Sequence, residues 1–480
     1  MTTLADFRRS LSGPDLLTRL REGLIGNDMP FVTPFGERRL LYADYVASGR
    51  ALRQVERFIS EEILPFYANS HTEASHCGQT MTRLRQEART LIARELNAED
   101  CHVVFSGSGA TAGINRIVAL LDIAARVRCG ERVSVLVGPY EHHSNLLPWR
   151  ESGAVLVEIP EGEAGGPDTV ALERALDTVN GSDLIVGAFS AASNVTGIVS
   201  DVDDITRRLK RRGALAVWDY AGGGPYLTMD MAPAPDCRKD AIVFSPHKFV
   251  GGPGASGVMV VRDTLVHRRT PSLPGGGTVS FVSPWTHHYS SRLEAREESG
   301  TPNVVGDIRA ALALLVKAAI GLPEIARRDA ELRRRALACW ADEPRLELLG
   351  RQDVPALPIF SFRVRDDAGN RIHHQLFTRM LSDVHGIQAR GGCACAGPYA
   401  HRLLGIDAAA SGALVERLGQ GHELEKPGWI RLSLNVLHDD AQVARILDGV
   451  LTLAREAPAW ARHYRADPAT ARFQVDTAGG

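Results

Sequence analysis

A lysine in a glycine-rich setting is the first residue of this chain that suggests chemistry. Lys248 ends the sequence Ser-Pro-His-Lys at 245–248, which follows the apolar run 241–244 and precedes Gly-Gly-Pro-Gly at 251–254. Most lysines are simply surface charges. In open α/β folds, however, ligands bind at the carboxyl ends of strands. A lysine placed there is a candidate Schiff-base former, provided that its surroundings leave the amine unprotonated.

A second glycine-rich segment, Phe-Ser-Gly-Ser-Gly-Ala-Thr-Ala-Gly at 105–113, joins a strand-like run to a helix predicted over 114–127. Backbone N–H groups at such a helix start bind anions such as phosphate. The glycine spacing differs from the dinucleotide fingerprint, and no acidic residue closes a second strand about 20 residues later. A nicotinamide cofactor is therefore disfavoured, although a purely structural turn fits the segment equally well.

Polar side chains follow two other strand-like runs. Asp219 comes directly after the run 214–218, where it can cap a helix or keep the nitrogen of a pyridoxal ring protonated. His142 and His143 lie beyond the run 133–137. They lack the helical i, i+4 spacing and the third ligand of a zinc site, so we expect no metal. An imidazole stacked on a planar cofactor is the better interpretation.

The segment 390–398, Arg-Gly-Gly-Cys-Ala-Cys-Ala-Gly-Pro, holds two thiols. Cys393 and Cys395 have no second cysteine pair nearby, so their spacing disfavours a zinc site, which needs four thiolate or imidazole ligands. Two interpretations remain. The thiols are small buried core residues, or they lie on an exposed loop where Arg390 favours the nucleophilic thiolate.

These residues need a sheet to position them. Strand-like apolar runs alternate with amphipathic stretches between residues 101 and 262, which predicts an α/β fold with a seven-stranded, mostly parallel sheet. A helix is predicted over 201–212. The predicted strands are 102–105, 133–137, 155–159, 184–189, 214–218, 241–244 and 257–261.

The length of 480 residues exceeds what one core usually supports, so we expect two domains. A helix-rich pattern begins after residue 304, and strand and helix patterns alternate beyond it. The predicted organisation is a large domain over 40–304, a smaller α+β domain over 305–471, an N-terminal segment 1–39 that packs with the small domain, and a loose tail, 472–480.

Composition excludes several classes of protein. Lys plus Arg total 55 against 57 Asp plus Glu, which gives no basic footprint for nucleic acid. No apolar run approaches the length of a membrane span. Seven cysteines, an odd number, without a signal peptide favour reduced thiols rather than a disulfide framework. We therefore expect a cytoplasmic protein.

Together the motifs resemble the class V aminotransferase family of fold type I pyridoxal-phosphate enzymes, and within it the cysteine desulfurase and selenocysteine lyase branch. The resemblance spans about residues 40–451 and implies the fold of the type I pyridoxal-phosphate transferases. Its strongest blocks are 141–149, 245–257, 298–303 and 390–398.

The resemblance implies pyridoxal 5'-phosphate as the cofactor. Lys248 would carry it and shuttle the proton at the substrate Cα, Asp219 would pair with the ring nitrogen, and His142 would stack on the ring. Thr278 would reach the phosphate of a neighbouring subunit, which implies a homodimer with shared sites. The full set of implied cofactor-binding residues is Ala110, Thr111, His142, Asn194, Asp219, Ser245, His247, Lys248 and Thr278.

The resemblance also implies L-cysteine or a close analogue as the substrate. Arg431 would grip its carboxylate, with Arg390 and Asn194 beside it, and Cys395 would accept the sulfur as a persulfide, with His142 among the catalytic residues. A sulfur-acceptor protein is an expected partner. Two positions depart from the family: Gly222 stands where a glutamine is usual, and Cys393 has no assigned role.

Other functions remain open at this point. One is a different class V reaction, such as β-elimination, transamination or epimerisation, in which Cys395 is only structural. Another is a catalytically silent protein that binds pyridoxal phosphate as a scaffold. The products formed from amino acids distinguish these possibilities.

Overall fold

The computed structural model describes residues 3–70, 73–392 and 395–476. Its contacts divide the chain into two compact units. The first unit comprises Met1–Ile25, Ala47–Ala192 and Val199–Glu324. The second comprises Gly26–Val46, Ser193–Ile198 and Ile325–Gly480.

A sheet of seven strands, counted over the described residues, forms the centre of the first unit. Gly257–Val261 runs antiparallel to both of its neighbours, and the other pairings are parallel. This confirms the α/β class and each of the seven predicted strands, whose ends shift by two residues at most. In spatial order the strands are His102–Gly107, Gly257–Val261, Ala241–Phe244, Leu215–Asp219, Leu184–Ser190, Val133–Val137 and Val155–Glu158.

Helices surround this sheet. Val202–Arg211 begins after Asp201, whose carboxylate accepts a hydrogen bond from the Asp204 N–H at 3.0 Å. The predicted helix over 114–127 is instead two helices, because Asp122 adopts a left-handed backbone conformation (φ 51°) between them. The α-helices described in this unit are Leu4–Ser10, Leu16–Gly23, Arg53–Phe58, His76–Glu95, Gly109–Leu120, Ile123–Arg128, Leu147–Glu151, Thr169–Thr178, Val202–Arg211, Leu293–Glu297 and Val304–Ile320. A hairpin, Val279–Val282 with His287–Tyr289, completes it.

The second unit contains a smaller antiparallel sheet. Its strands are Leu346–Leu348, Ile359–Arg365, Trp429–Ser433 and Arg390–Gly392, in that order, with Arg371–Ile372 beside Ile359–Arg365. Apolar side chains of this sheet share one core with the neighbouring helices. The helices that share this core are Leu322–Trp340, His374–His385 and Asp440–Ala461. Two further helices of the unit are Gly397–Leu404 and Ala408–Gly419. Short strands pair as Pro30–Thr33 with Gly36–Arg39, and Leu41–Tyr42 with Ile387–Gln388.

The division into units differs from the expected domains at both ends of the chain. Residues up to Ile25 belong to the first unit. There the Leu4 N–H donates to the Glu87 carboxylate at 3.2 Å. Helix Val304–Ile320 also belongs to that unit, because it packs on helix His76–Glu95. Near the other end, Arg472–Val475 pairs with Tyr464–Asp467 instead of forming a loose tail.

Among the described residues, every helix is too short or too polar to reach across a bilayer.

Candidate functional site

The lysine motif forms a tight turn at the end of a sheet strand. Pro246–Lys248 is a single turn of 3-10 helix that follows Ala241–Phe244 after Ser245. Lys248 is half-buried. The hydroxyl of the buried Ser245 accepts a hydrogen bond from the Ala110 N–H at 2.9 Å. This bond joins the lysine turn to the start of helix Gly109–Leu120, which lies in the glycine-rich segment 105–113.

The junction leaves no room for a side chain at Gly109. Its φ is +63°, and a Cβ added there would lie 2.9 Å from Ser245 Oγ and 3.2 Å from His247 Cε1. Burial, with the nearby charge of Lys248, lowers the pKa of His247. Thr111 on the first helical turn contacts Ser144, with the two hydroxyl oxygens 2.7 Å apart. The predicted phosphate-side residues therefore surround one helix start, a setting that fits a phosphate.

Asp219 ends the strand Leu215–Asp219 and is only 4% exposed. Its carboxylate accepts a hydrogen bond from the Ala221 N–H at 2.7 Å. Burial raises the pKa of Asp219, whereas the Ala221 bond and the positive charge of Lys248 lower it. A buried carboxylate gains most from a cationic partner, so this position fits the protonated ring nitrogen of pyridoxal phosphate.

The histidine segment is held in place by Glu141, a residue that the sequence patterns did not predict. His142 caps the short turn His143–Asn145 and accepts from the Ser144 N–H at 3.1 Å. The preceding Glu141 is buried, and its carboxylate accepts four hydrogen bonds: from the N–H groups of Gly138 (3.2 Å) and Ser190 (2.9 Å), the Ser190 hydroxyl (2.7 Å) and the Asn145 amide (2.5 Å).

The environment of Glu141 opposes its charge. Burial and, to a smaller extent, the charge of Asp219 raise its pKa to about 7, against the lowering effect of the Ser190 and Asn145 bonds. Ser190 is the register partner of Asp219 on the adjacent strand. Glu141 therefore ties the histidine segment to the strand end beside Asp219.

A buried lysine holds the segment that follows Asp219. Lys317 donates to the backbone carbonyls of Gly224 (2.6 Å) and Leu227. Burial lowers its pKa to about 7. This segment contains Gly222, which stands where the resemblance would place a glutamine, and the Lys317 bonds hold the backbone that follows it.

In the second unit, two of the three predicted substrate-binding residues bond to one carboxylate, and the third, Asn194, bonds to Arg431. Arg431, 4% exposed, donates from Nη1 to the Asn194 carbonyl (3.1 Å) and from Nη2 to Asp44 Oδ1 (2.9 Å). Arg390 donates from Nε to Asp44 Oδ2 at 3.0 Å. Asp44 was not predicted. A clue was available, since a carboxylate inside the apolar run 41–46 needs a partner if the run is buried.

Cys395 is exposed on the loop between strand Arg390–Gly392 and helix Gly397–Leu404. Its backbone is left-handed, with φ 54°. The buried alternative is thus wrong for this thiol. Cys393 lies outside the described residues.

Thr278, in the first unit, is buried in its own turn, where its hydroxyl donates to the Gly275 carbonyl at 2.7 Å. Its expected role toward a neighbouring subunit stays a prediction.

No cluster of three or more His, Cys, Asp or Glu side chains suited to a metal ion occurs in the ranges 3–70, 73–392 and 395–476.

The family of the chain follows from comparison with known proteins. The model of the aminotransferase class-V family matches residues 41–446. The chain belongs to this family of enzymes.

Individual relatives are consistent with it. The chain is 31% identical over 363 residues to a cysteine desulfurase of an Enterobacter species, covering 75% of this chain and 85% of the relative. It is 28% identical over 370 residues to a probable cysteine desulfurase of Pyrococcus abyssi, covering 76% and 87%.

Solved structures share the fold. The apo structure of a cysteine desulfurase from Thermococcus onnurineus matches with a TM-score of 0.73 at 24% identity, over 91% of this chain and 98% of the other. A cysteine desulfurase structure from Escherichia coli matches with a TM-score of 0.65 at 24% identity, over 85% and 93%. These likenesses confirm the expected fold type.

Proposed function

We propose that this chain is a pyridoxal-phosphate-dependent cysteine desulfurase, which converts L-cysteine to L-alanine and leaves the sulfur as a persulfide on Cys395. The observation that carries the proposal is the Lys248 turn. It is joined through Ser245 to an anion-binding helix start and is electrostatically coupled to the buried Asp219. The names of the sequence relatives support cysteine as the substrate.

Seven residues of the first unit would hold the cofactor. The helix start at Ala110, with Thr111, Ser245 and His247, would bind the phosphate. Asp219 would keep the ring nitrogen protonated, His142 would cover the ring face, and Lys248 would carry the cofactor and move the proton at the substrate Cα. Bound pyridoxal phosphate would supply an electron sink for bond cleavage at the substrate. Thr278 would act on the cofactor of a second copy, in a homodimer.

The second unit would supply the substrate and sulfur chemistry. Arg431 would bind the substrate carboxylate as a bidentate partner, supported by Arg390 and Asn194. The Cys395 thiolate would attack the substrate sulfur. An S–S bond forms, the substrate C–S bond breaks, and a proton replaces the sulfur on carbon to give alanine. The exposure of Cys395 suits this role and the later transfer of sulfur to an acceptor protein in a reducing, cytoplasmic setting.

The decisive experiment incubates the purified holoenzyme with L-cysteine and identifies the products. We expect alanine and a persulfide. Cys395→Ala should keep the visible absorbance of the cofactor and lose both products, whereas Lys248→Ala should lose the lysine-linked absorbance itself. Cys129→Ala, which removes another exposed thiol, is the matched control and should behave as wild type.

Each other outcome contradicts the proposal in a recognisable way. Pyruvate with sulfide would indicate β-elimination, a keto acid made together with an aminated acceptor would indicate transamination, and a D-amino acid would indicate epimerisation. No turnover of any amino acid would indicate a silent scaffold. Unchanged alanine release by Cys395→Ala would reduce that thiol to a structural role.

A further inference from the structure

Asp44 lies between two arginines that face each other across paired strands. Arg390 and Arg431 are direct partners in the antiparallel pairing of Arg390–Gly392 with Trp429–Ser433. Like charges directly opposite each other destabilise such a pair. Asp44 bonds to both, with one carboxylate oxygen on each guanidinium, at 2.9 Å and 3.0 Å.

The position of Asp44 is fixed by its own backbone. The Ser433 N–H donates to the Ala43 carbonyl at 2.7 Å, and the Val46 N–H donates to the Ser433 hydroxyl at 3.1 Å. These bonds attach the segment around Asp44 to the end of the strand that carries Arg431. The carboxylate is therefore a built-in part of the arginine cluster.

We propose that Asp44 is a specificity-determining residue that sets the charge offered to the substrate carboxylate. This inference rests on the proposed function of Arg431. The three side chains Arg431, Arg390 and Asp44 together carry one net positive charge, which matches a substrate with one carboxylate. Arg431 is almost fully buried, so its electrostatic interactions are weakly screened. Arg390 is 54% exposed, so water screens its contribution to the charge of the cluster more strongly.

A charge series tests the inference. Asp44→Asn keeps the shape and raises the net charge of the cluster to two, so it should bind L-alanine more tightly. Arg390→Gln lowers the net charge to zero and should bind L-alanine more weakly. The double variant restores one positive charge and should return close to wild type. The buried Asp44 step should change the dissociation constant at least tenfold, the effect of one unit charge about 12 Å away at an effective dielectric constant near 20, and the exposed Arg390 step should change it somewhat less.

The measurement is a titration of the holoenzyme with L-alanine, followed through the cofactor absorbance. Ethylamine, which lacks the carboxylate, is the matched ligand, and its affinity should stay the same in all variants. A merely structural role of Asp44 would change both ligands alike. Because Arg390 is exposed, Arg390→Gln should fold even if Asp44→Asn does not. In that case the L-alanine affinity of Arg390→Gln tests the inference.

The outcomes distinguish a failure of the proposed function from a failure of this inference alone. If L-alanine does not bind the wild type, or binds Arg431→Gln equally well, the proposed function fails and this inference fails with it. If wild type and Arg431→Gln behave as expected, the inference alone is overturned by either of two results: Asp44→Asn binds alanine no more tightly, or Arg390→Gln binds it no more weakly.

Discussion

Two buried carboxylates in different units are satisfied by opposite means. Glu141 accepts hydrogen bonds from four uncharged donors, and its pKa rises to about 7. Asp44 bonds to two guanidinium groups instead. Neutral donors fix geometry without supplying a counter-charge, whereas arginines supply both. The carboxylate of the first unit therefore holds a segment in place, whereas we propose that the carboxylate of the second unit adjusts charge.

Glu141→Ala should have the largest effect on stability. It leaves buried donors of Ser190, Gly138 and Asn145 without their acceptor, at about 1–3 kcal/mol for each group that stays unsatisfied. We expect the free energy of unfolding in urea to fall by about 4 kcal/mol. A loss below about 1 kcal/mol would show that the network does not fix the segment.

Arg431→Gln should have the second-largest effect on the free energy of unfolding. Asp44 then keeps only its bond to the half-exposed Arg390, so we expect a loss of up to about 3 kcal/mol, the cost of breaking a buried ion pair. The same urea titration measures it. If the variant is as stable as wild type, the Asp44–Arg431 contact contributes nothing to the fold, and the contrast with Glu141 disappears.

The pH dependence of Glu141 is the third test. The folded chain holds a proton on Glu141 up to about pH 7, whereas an ordinary glutamate releases it near 4.5. Raising the pH through this window therefore lowers the stability of wild type by roughly 2 kcal/mol relative to Glu141→Gln, which has no proton to release. Urea unfolding of both proteins at pH 5 and pH 7.5 checks this sign. A constant difference between them would contradict it.

Arg390→Gln should have the smallest effect. An ion pair with one partner more than half exposed contributes about 1 kcal/mol or less, because water screens it. Its free energy of unfolding should stay within that margin of wild type. A larger loss would make Arg390 a structural partner of Asp44, equal to Arg431.

The sequence predicts what depends on neighbouring residues. Strands such as Val133–Val137 are recognisable because burial on both faces makes them continuous apolar runs. The Lys248 turn is recognisable because its strand, turn and glycines are contiguous. The roles of Glu141 and Asp44 depend on contacts that are distant in the chain: Ser190 is 49 residues from Glu141, and Arg431 is 387 residues from Asp44.

The ends of the chain were predicted less well for a related reason. Leu4 and Phe7 are buried in the first unit, but seven residues of helix do not show which unit covers them. Arg472–Val475 alternates polar and apolar residues, the strand pattern, yet it is too short to stand out from a tail.

Cys395 shows what the proposed chemistry costs the fold. The left-handed backbone conformation of Cys395 costs roughly 1–2 kcal/mol for a residue with a side chain, whereas glycine adopts this conformation freely. Glycine at this position would therefore relax the loop while removing the thiol. Directed evolution for thermal stability alone would therefore favour that replacement and select a more stable, inactive protein. Such a selection needs a sulfur-transfer screen beside it.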